Sequence, residues 1–338
     1  MARVAVVGAG AWGTAIAAHA VRIGHTATIW AFESEVVDDI RSRHMNSIFL
    51  PEVRLPEELD ASSDPGEVVR GAALIVFVPP SKHLRAISTL FAPHVPKTAL
   101  VAVASKGIEE SSLQLLSTVL GETLPDVGRE RLAFLSGPTF AKEVAAGFPA
   151  DVVAASEGAV AAKLIQPLLH APRFRVYSST DPIGVQVGGA VKNVLAVATG
   201  VSDGLGLGAN ARAAIITRGL AEMTRLGVAL GAKPLTFLGL AGVGDLVLTA
   251  TGDLSRNRTL GLQVASGADP ATYLASKRSV AEGYFTSAAA WALAQKLGVD
   301  MPITEEVYQV LHQRRPLDVA LKHLMEREFK DELRGIEL

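Results

Sequence analysis

The spacing of hydrophobic positions changes about halfway along the chain. Up to about residue 180, short apolar runs rich in valine alternate with helical stretches, and several of the runs end at Gly, Pro or Ser. Such runs are typical of strands buried on both faces of a parallel sheet. The predicted strands are residues 4–7, 27–30, 73–78, 99–104, 132–135, 152–155 and 174–177. Helical stretches separate many of them, such as residues 13–23 and 113–120, so the pattern predicts a doubly wound α/β sheet.

The second half of the chain shows helical periodicity with few strand signals. Helices are predicted over residues 185–201, 211–230, 287–297 and 305–313. The Asp181-Pro182 step suits a domain boundary followed by the start of a helix. Because 338 residues exceed the size of most single cores, we expect two domains, 1–181 and 182–338, and the second is predicted to be all-helical.

Composition and charge exclude several classes of function. The formal net charge is −2, so a nucleic acid or an anionic membrane is not an expected partner. The chain has no cysteine, and its eight histidines lack metal-ligand spacing, so neither a disulfide nor a metal site is expected. Lys192 and Asp245 interrupt the most apolar stretches, which argues against membrane insertion. With a strand at the very start and no signal segment before it, we expect a cytoplasmic protein.

A glycine motif follows the first predicted strand. Gly8-x-Gly10-x-x-Gly13 opens an alanine-rich helix, the context in which this spacing binds a dinucleotide. The first glycine permits a tight turn, the second permits close approach of a pyrophosphate, and the third permits helix and strand to pack closely. The alternative is a purely structural glycine turn. In its strand–helix–strand context the motif predicts that residues 1–181 form a Rossmann-like, dinucleotide-binding domain.

The end of the second predicted strand bears on the choice of cofactor. Glu33 lies there after Phe32, and an acidic side chain at this place accepts hydrogen bonds from ribose hydroxyls. An arginine would instead neutralise the 2′-phosphate of NADP. Arg41 and Arg43 follow Glu33 in the sequence, and the alternative to a contact with the 2′-phosphate is that they are solvated charges on a helix. This pattern favours NAD.

Lys192 lies in an almost entirely apolar predicted helix. Buried lysines are rare because desolvation penalises the ammonium, and a buried lysine should have a pKa low enough for acid-base catalysis. Gly188 and Gly189, one turn earlier, are expected to leave room for a ligand. The alternative is a structural lysine paired with a buried carboxylate, and the residues of the helix alone leave both interpretations open.

Other candidate residues are polar groups in small or apolar surroundings. Lys106 and the segment Ser136-Gly137-Pro138-Thr139 follow predicted strands, at the sheet edge where such folds bind ligands. Asp245 is a carboxylate among small residues, and Ser255-Arg256-Asn257-Arg258 offers groups suited to a phosphate. The alternatives for these residues are helix caps, turn residues and surface charges.

Taken together, these motifs resemble the cytoplasmic NAD(P)-dependent glycerol-3-phosphate dehydrogenases of bacterial type, over nearly the whole chain. The matching segments are Gly8-Ala9-Gly10-Ala11-Trp12-Gly13-Thr14, Ser105-Lys106-Gly107, Ser136-Gly137-Pro138-Thr139-Phe140-Ala141-Lys142-Glu143, Gly188-Gly189-Ala190-Val191-Lys192-Asn193-Val194, Ser202-Asp203-Gly204, Gly242-Val243-Gly244-Asp245-Leu246, Ser255-Arg256-Asn257-Arg258 and Glu282-Gly283-Tyr284. The resemblance implies an oxidoreductase with a Rossmann-like domain followed by an all-helical domain, usually a homodimer. It implies reversible reduction of dihydroxyacetone phosphate to sn-glycerol 3-phosphate, which supplies glycerophospholipid synthesis.

The resemblance also implies roles for individual residues. Lys192 would be the general acid-base, with Lys106 and Asp245 near the reacting carbon. The implied substrate-binding residues are Lys106, Gly137, Thr139, Lys192, Asp245, Ser255, Arg256 and Asn257, of which Arg256 and Asn257 would bind the phosphate. The implied cofactor-binding residues are Gly8, Gly10, Ala11, Trp12, Gly13, Phe32, Glu33, Lys106, Ala141, Arg256, Val280 and Glu282.

One position departs from the bacterial pattern. Many bacterial members carry basic residues where this chain has Phe32-Glu33, whereas an aromatic residue followed by Glu resembles the NAD-specific eukaryotic form. We therefore expect NAD to be preferred, with NADP possible as a second cofactor. The alternative functions are a related β-hydroxyacid or 2-ketopantoate type reductase, which binds a carboxylate, and a redox sensor that binds NADH without turnover.

Overall fold

The chain folds into two compact units in the computed structural model, which describes residues 1–278, 280–328 and 331. The first unit comprises Met1–Ser105 and Leu116–Pro182, and the second comprises Lys106–Leu115 and Ile183–Leu338. The division therefore falls one residue from the predicted boundary after residue 181. One segment of the first half, the excursion Lys106–Leu115, nevertheless belongs to the second unit. Ile108 and Leu115 are buried in the core of the second unit, which explains this assignment.

The first unit is built on an eight-stranded sheet. The strands are β1 Arg3–Val7, β2 Thr26–Trp30, β3 Asp60–Ser62, β4 Leu74–Phe77, β5 Leu100–Val103, β6 Leu132–Ser136, β7 Ala150–Ala155 and β8 Phe174–Ser179. Their order is β3-β2-β1-β4-β5-β6-β7-β8. Neighbouring strands run parallel except β6 and β7. This order reverses at β1, as in a doubly wound fold, and the predicted Rossmann-like class is confirmed.

Seven helices accompany the sheet among the residues described for the first unit. They are α1 Ala11–Arg22, α2 Ser34–Arg43, α3 Pro65–Val69, α4 Leu84–Phe91, α5 Leu116–Thr123, α6 Ala141–Ala145 and α7 Val160–Leu169. The inner strands are buried on both faces; residues 4–7 of β1 have no exposed surface. Burial of that kind explains why these strands have continuous apolar sequences rather than alternating ones.

Two features of the sheet differ from the prediction. Strand β3 was not predicted, because it has three residues, Asp60–Ser62, and pairs only with β2 at the edge of the sheet. Strand β7 runs antiparallel to β6, whereas the apolar runs predicted parallel strands. The connection between them, residues 137–149, contains only the five-residue helix α6, and an apolar run does not record the direction of a strand.

The second unit is helical, as predicted. Its described residues form α8 Pro182–Gly204, α9 Gly208–Ala229, α10 Asp245–Thr251, α11 Arg256–Ala265, α12 Pro270–Ala275, α13 Glu282–Leu297, α14 Pro302–Gln313 and α15 Leu317–Met325. Helix α8 has 23 residues, most of them buried, and it contributes to both hydrophobic clusters of this unit. Within the ranges described, none of the helices combines the length and the apolar character needed to cross a membrane.

Candidate active site

The glycine turn between β1 and α1 has the geometry that its spacing predicts. Gly8 has a φ of +118°, which residues with a side chain rarely adopt. A Cβ on Gly13 would lie 1.9 Å from the carbonyl oxygen of Gly8, so only glycine permits this contact between helix and loop. A Cβ on Gly10 would instead project into open space, with no atom within 4 Å. The turn thus leaves an open gap beside Gly10, as close approach of a pyrophosphate requires.

Helix α1 begins directly after this gap. Gly10 is its N-cap residue and offers no side chain to cap the first amides, and Ala11 and Trp12 form the first turn. An uncapped helix start with its positive dipole end is suited to a phosphate anion. Ala141 is the first residue of α6, which packs against α1. The residues of the first unit therefore fit a dinucleotide.

The residues predicted to select the cofactor follow β2. The Phe32 side chain is 81 % exposed, and Glu33 is the N-cap residue of α2. Arg41 donates to Asp60 over 2.9 Å, and Arg43 lies 2.6 Å from the buried carboxylate of Asp39. Both arginines near Glu33 in sequence are therefore already paired with carboxylates.

Gly137 and Thr139 follow β6 in the first unit. Gly137 has a φ of +147°, and a Cβ there would lie 2.7 Å from the carbonyl oxygen of Asp151 in β7. The antiparallel neighbour strand thus accounts for glycine at this position. The Thr139 hydroxyl donates to the carbonyl oxygen of Gly137 over 3.3 Å.

A cluster of two lysines around one carboxylate lies inside the second unit. Lys192 Nζ donates to Asp245 Oδ1 over 2.5 Å, and Lys106 Nζ donates to Asp245 Oδ2 over 2.5 Å. Lys192 Nζ also donates to Thr249 Oγ1 over 2.8 Å. The exposed fraction of the side chain is 1 % for Asp245, 8 % for Lys192 and 16 % for Lys106. Three predicted catalytic residues therefore meet in one buried group.

Backbone packing brings Lys192 and Asp245 together. Gly188 lies one turn before Lys192 on α8, and Ala241 lies one turn before Asp245 in the wide turn of residues 240–244. A Cβ on Gly188 would lie 2.3 Å from the carbonyl oxygen of Ala241. The expectation that Gly188 leaves room for a ligand is therefore wrong: this glycine makes room for the backbone that precedes Asp245.

The charges in the cluster shift the acidity of its members. Burial lowers the pKa of Lys192 to about 7; the Asp245 carboxylate opposes this shift, and the Lys106 ammonium adds to it. Burial alone would raise the pKa of Asp245, but the ammonium groups of Lys106 and Lys192 together hold it below its usual range. The carboxylate therefore stays ionised while Lys192 can gain and lose a proton near neutral pH.

Both interpretations of Lys192 thus find support in the cluster. The lysine is paired with a buried carboxylate, as a structural lysine would be, and it also has the pKa of an acid-base group. A purely structural pair would need neither the second ammonium of Lys106 nor a pKa of about 7.

The predicted phosphate-binding residues stand at the start of α11. Ser255 is the N-cap residue and accepts a hydrogen bond from the backbone of Arg258 over 3.2 Å. The Arg256 side chain is exposed, and among the described residues no hydrogen-bond partner for its guanidinium is seen. Although Arg256 is exposed as a whole residue, desolvation of its guanidinium lowers the pKa of Arg256, and the Glu282 carboxylate at the start of α13 opposes that shift. Arg256 therefore has its donors available for an anion.

Hydrogen bonds within the protein hold the Asn257 side chain. Its Nδ2 donates to Asn193 Oδ1 over 2.8 Å, and its Oδ1 accepts from the backbone N–H of Gly283 over 2.8 Å. The side chain thus joins α8, α11 and the start of α13, which leaves one N–H of the amide for a ligand. Val280, which is half-buried, precedes that helix start, where Glu282 is the first residue.

Sequence reasoning missed two polar residues in this region. Thr249 contacts the Lys192 amine, and Asn193 holds Asn257. Thr249 is four residues after Asp245 on α10, so helical spacing from the candidate carboxylate was a usable signal. Asn193 adjoins Lys192 in an apolar helix, where a second polar residue was the corresponding signal.

Comparisons with known proteins cover nearly the whole chain. Residues 3–162 match the family profile described as NAD-dependent glycerol-3-phosphate dehydrogenase N-terminus, and residues 181–322 match the C-terminus of the same family. The chain is similar to the glycerol-3-phosphate dehydrogenase [NAD(P)+] of Citrifermentans bemidjiense, with 49 % identity over 98 % of both chains.

Solved structures give the same result. A crystal structure of glycerol-3-phosphate dehydrogenase from Coxiella burnetii has 40 % identity and a TM-score of 0.91, covering 96 % of this chain and 99 % of that one. The enzyme from Saccharomyces cerevisiae has 30 % identity and a TM-score of 0.80, covering 96 % and 99 % of the two chains. With both units matched over nearly their full length, this chain belongs to the NAD-dependent glycerol-3-phosphate dehydrogenase family.

Proposed function

We propose that this chain reversibly reduces dihydroxyacetone phosphate to sn-glycerol 3-phosphate with a nicotinamide cofactor, and that Lys192 is its general acid-base. Family membership supports the reaction. The observation that carries the assignment of residues is the buried cluster in which Lys106 and Lys192 share the carboxylate of Asp245. The cofactor, when bound, supplies the hydride that reduces the ketone carbon.

Lys192 would act on the oxygen of the substrate carbonyl. Negative charge grows on this oxygen during reduction, and an ammonium in a desolvated site stabilises it more strongly than one in water. Lys192 then donates its proton to the oxygen, and in the reverse direction the neutral amine takes the proton from the hydroxyl. A pKa of about 7 makes both protonation states accessible near neutral pH.

Asp245, Lys106 and Thr249 would hold this amine and set its acidity. Two of the three N–H bonds of the Lys192 ammonium point to Asp245 Oδ1 and Thr249 Oγ1, which leaves the third for the substrate. Lys106 occupies the second oxygen of Asp245 and, by its charge, favours the loss of a proton from Lys192. Lys106 is also the residue of the cluster with the most exposed side chain, so it is suited to contact the substrate.

Arg256 and Asn257 would bind the substrate phosphate. Arg256 is exposed at the N-terminus of α11, where the helix dipole also favours an anion. Its fork of donors matches phosphate oxygens in pairs. Asn257 contributes its remaining N–H, while its other contacts hold the start of α11 against α8. Gly137 and Thr139, which we also assign to substrate binding, offer the backbone and hydroxyl that follow β6.

We infer a preference for NAD over NADP. Glu33 would accept from the ribose hydroxyls and repel a 2′-phosphate, and the exposed ring of Phe32 would lie against adenine. The pairing of Arg41 with Asp60, and of Arg43 with Asp39, supports this preference, since each guanidinium already has a carboxylate partner that competes with the phosphate of NADP.

Three further proposals concern the setting of the reaction. The product is the backbone of glycerophospholipids, so we assign the enzyme to their synthesis. We place it in the cytoplasm, where its soluble substrate and cofactor are found. Its family resemblance supports a homodimer.

Initial rates of cofactor oxidation with dihydroxyacetone phosphate test the proposal, with NADH and NADPH measured in parallel. We expect turnover with NADH to exceed that with NADPH. Equal or faster oxidation of NADPH would agree with the proposed reaction and refute the preference for NAD. Oxidation with a keto acid but not with the phosphate ester would favour a carboxylate-binding reductase. Binding of NADH without turnover of any ketone would favour a redox sensor.

A further inference from the structure

Asn46 is a completely buried amide in the segment between α2 and β3. Its Nδ2 donates to the carbonyl oxygen of Ala9 over 2.8 Å and to Thr14 Oγ1 over 2.8 Å. Its Oδ1 accepts from the backbone N–H of Phe49 over 3.1 Å. Both amide hydrogens are thus used on the glycine turn, although Asn46 is 37 residues from Ala9.

These contacts determine which way one peptide group of the glycine turn faces. The Thr14 hydroxyl also donates to the carbonyl oxygen of Ala9, over 3.2 Å, so this oxygen is held from two sides. The described backbone has no cis peptide bond, and in a trans peptide the C=O and N–H point in opposite directions. With the Ala9 oxygen directed at Asn46 and Thr14, the N–H of Gly10 points away from them. The Cβ position of Gly10 adjoins open space.

We propose that Asn46 is a positioning residue for the dinucleotide: it holds the Ala9–Gly10 peptide so that the Gly10 N–H faces the pyrophosphate. This inference rests on the proposed cofactor site at the glycine turn. Without the amide of Asn46, the peptide can rotate and present its carbonyl oxygen to the anion. A carbonyl oxygen repels a phosphate, whereas an N–H binds it.

The segment that carries Asn46 has other anchors. The backbone N–H of Ser47 donates to the buried carboxylate of Asp39 over 2.8 Å, and Leu55 N donates to His44 O over 2.9 Å. These bonds hold the segment itself and do not touch the glycine turn. The two bonds from Asn46 Nδ2 are therefore the feature that distinguishes a positioning role from simple loop support.

The test is the affinity of purified full-length variants for NADH and ADP-ribose, measured by fluorescence and calorimetric titration. Asn46→Leu has nearly the same shape and adds no charge. We expect its dissociation constant for both ligands to rise about 10- to 100-fold, as for a hydrogen bond to a charged group. The inhibition constant of adenosine, which has no phosphate, should stay within about twofold, and turnover at saturating NADH should change less than the KM for NADH.

A second pair of variants keeps the inference testable if Asn46→Leu does not fold. Thr14→Val removes the hydroxyl from the Ala9 oxygen with little change of shape, and Thr14→Ser retains it. We expect Thr14→Val to weaken NADH binding by about 3- to 10-fold and Thr14→Ser to bind as the unaltered protein does. The double variant Asp39→Ala, Arg43→Ala is the matched control, since it removes an anchor of the same segment that does not touch the turn and leaves no unpaired guanidinium at Arg43.

The outcomes separate this inference from the proposed function. Unchanged NADH affinity in Asn46→Leu and in Thr14→Val would overturn the positioning role and leave the cofactor site intact. An equal loss in the double variant Asp39→Ala, Arg43→Ala would also overturn it, because general support of the segment would then account for the effect. Failure of the unaltered protein to bind NADH would overturn the cofactor site together with this inference.

Discussion

At the scale of the residue, Lys192 shows how the surroundings of one side chain set its pKa. Burial and the Lys106 charge lower its pKa, and the Asp245 carboxylate keeps that pKa from falling further. Had Asp245 been absent, desolvation would strongly disfavour the ammonium. Had Lys106 been absent, the Asp245 carboxylate would pair with Lys192 alone, and Lys192 would hold its proton more tightly. The value of about 7 reflects both opposing charges.

The first prediction concerns the proton carried by Lys192. Lys192→Met should lower turnover about 10²- to 10⁴-fold, the usual size of a lost general acid, with NADH binding retained. Because reduction needs the ammonium, kcat/KM for dihydroxyacetone phosphate should fall as the pH rises through about 7. Oxidation of glycerol 3-phosphate needs the neutral amine, so its rate should fall as the pH drops through the same range.

Rate profiles in both directions between pH 5 and 9 check this assignment. Lys296→Met, at an exposed position of α13, is the control and should retain the unaltered profile. Full turnover in Lys192→Met would contradict the acid-base role.

The second prediction concerns the guanidinium of Arg256. Arg256→Ala should raise the KM for dihydroxyacetone phosphate about 10- to 100-fold, because hydrogen bonds to an anion are lost. Dihydroxyacetone, which lacks the phosphate, serves as the matched substrate. Its kcat/KM should hardly change in the variant. If the variant loses the same factor on both substrates, Arg256 acts on something other than the phosphate.

At the scale of the element, glycines set how closely backbones approach within the second unit. Gly188 of α8 meets the carbonyl of Ala241, and Gly200 of the same helix meets the carbonyl of Arg258 in α11. Gly261 of α11 in turn meets the carbonyl of Val197. Helix α8 thus carries Lys192 between two backbone contacts, one leading to Asp245 and the other to the start of α11.

The third prediction follows from the first of these contacts. Gly188→Ala places a methyl group 2.3 Å from the Ala241 oxygen, so α8 and residues 240–244 must move apart. We expect a loss of about 1–3 kcal/mol in the free energy of unfolding, as for overpacking, together with reduced turnover. Gly121→Ala, in α5 with no atom within 4 Å of the new methyl, should be neutral or slightly stabilising.

Denaturant unfolding and initial rates measure both effects. If Gly188→Ala lowers stability but leaves turnover unchanged, turnover does not depend on the close approach of α8 to residues 240–244.

Sequence patterns predicted the elements better than their contacts. Continuous valine-rich runs located seven strands, because strands buried on both faces need apolar residues throughout. An apolar run does not record the direction of β7, and β3 is too short to form a pattern. In the site, an apolar helix made the burial of Lys192 predictable. Its pairing with Asp245, 53 residues away, depends on packing that Gly188 permits, and no local pattern records this.

At the scale of the whole molecule, neither of the two units is a single continuous stretch of the chain. Residues 106–115 leave the first unit after β5, contribute Ile108 and Leu115 to the core of the second unit, and return before α5. Lys106 belongs to this excursion, so a fragment that begins at residue 182 lacks both one lysine of the buried ion-pair cluster and part of the core. The second unit therefore depends on sequence from the first half of the chain.

The second unit also holds a buried carboxylate outside the site. Glu222 of α9 accepts from the backbone N–H groups of Ile303 and Thr304 over 2.6 and 3.1 Å, at the start of α14. Burial raises the pKa of Glu222 to about 7, although these hydrogen bonds and the Arg225 charge favour the carboxylate. Glu222 and Lys192 thus both titrate near neutral pH, one as an acid with a raised pKa and one as a base with a lowered pKa.

The last prediction is the pH dependence of unfolding that these two groups produce. Between about pH 4.5 and 7 the folded state binds more protons at Glu222 than the unfolded state does, so this contribution to stability is lost as the pH rises. Between about pH 7 and 10.5 the unfolded state binds more protons at Lys192, so that contribution rises with pH and is lost as the pH falls through 7. Denaturant unfolding of the full chain at pH 5, 7 and 9 measures the sum. The difference in free energy of unfolding between each variant and the unaltered protein shows the two contributions. This difference should shift in favour of Glu222→Gln from pH 5 to 7, and it should shift against Lys192→Met from pH 7 to 9. Parallel curves for all three proteins would show that neither group changes its proton affinity on folding, and the proposed acid-base role of Lys192 would then lose the support of a lowered pKa.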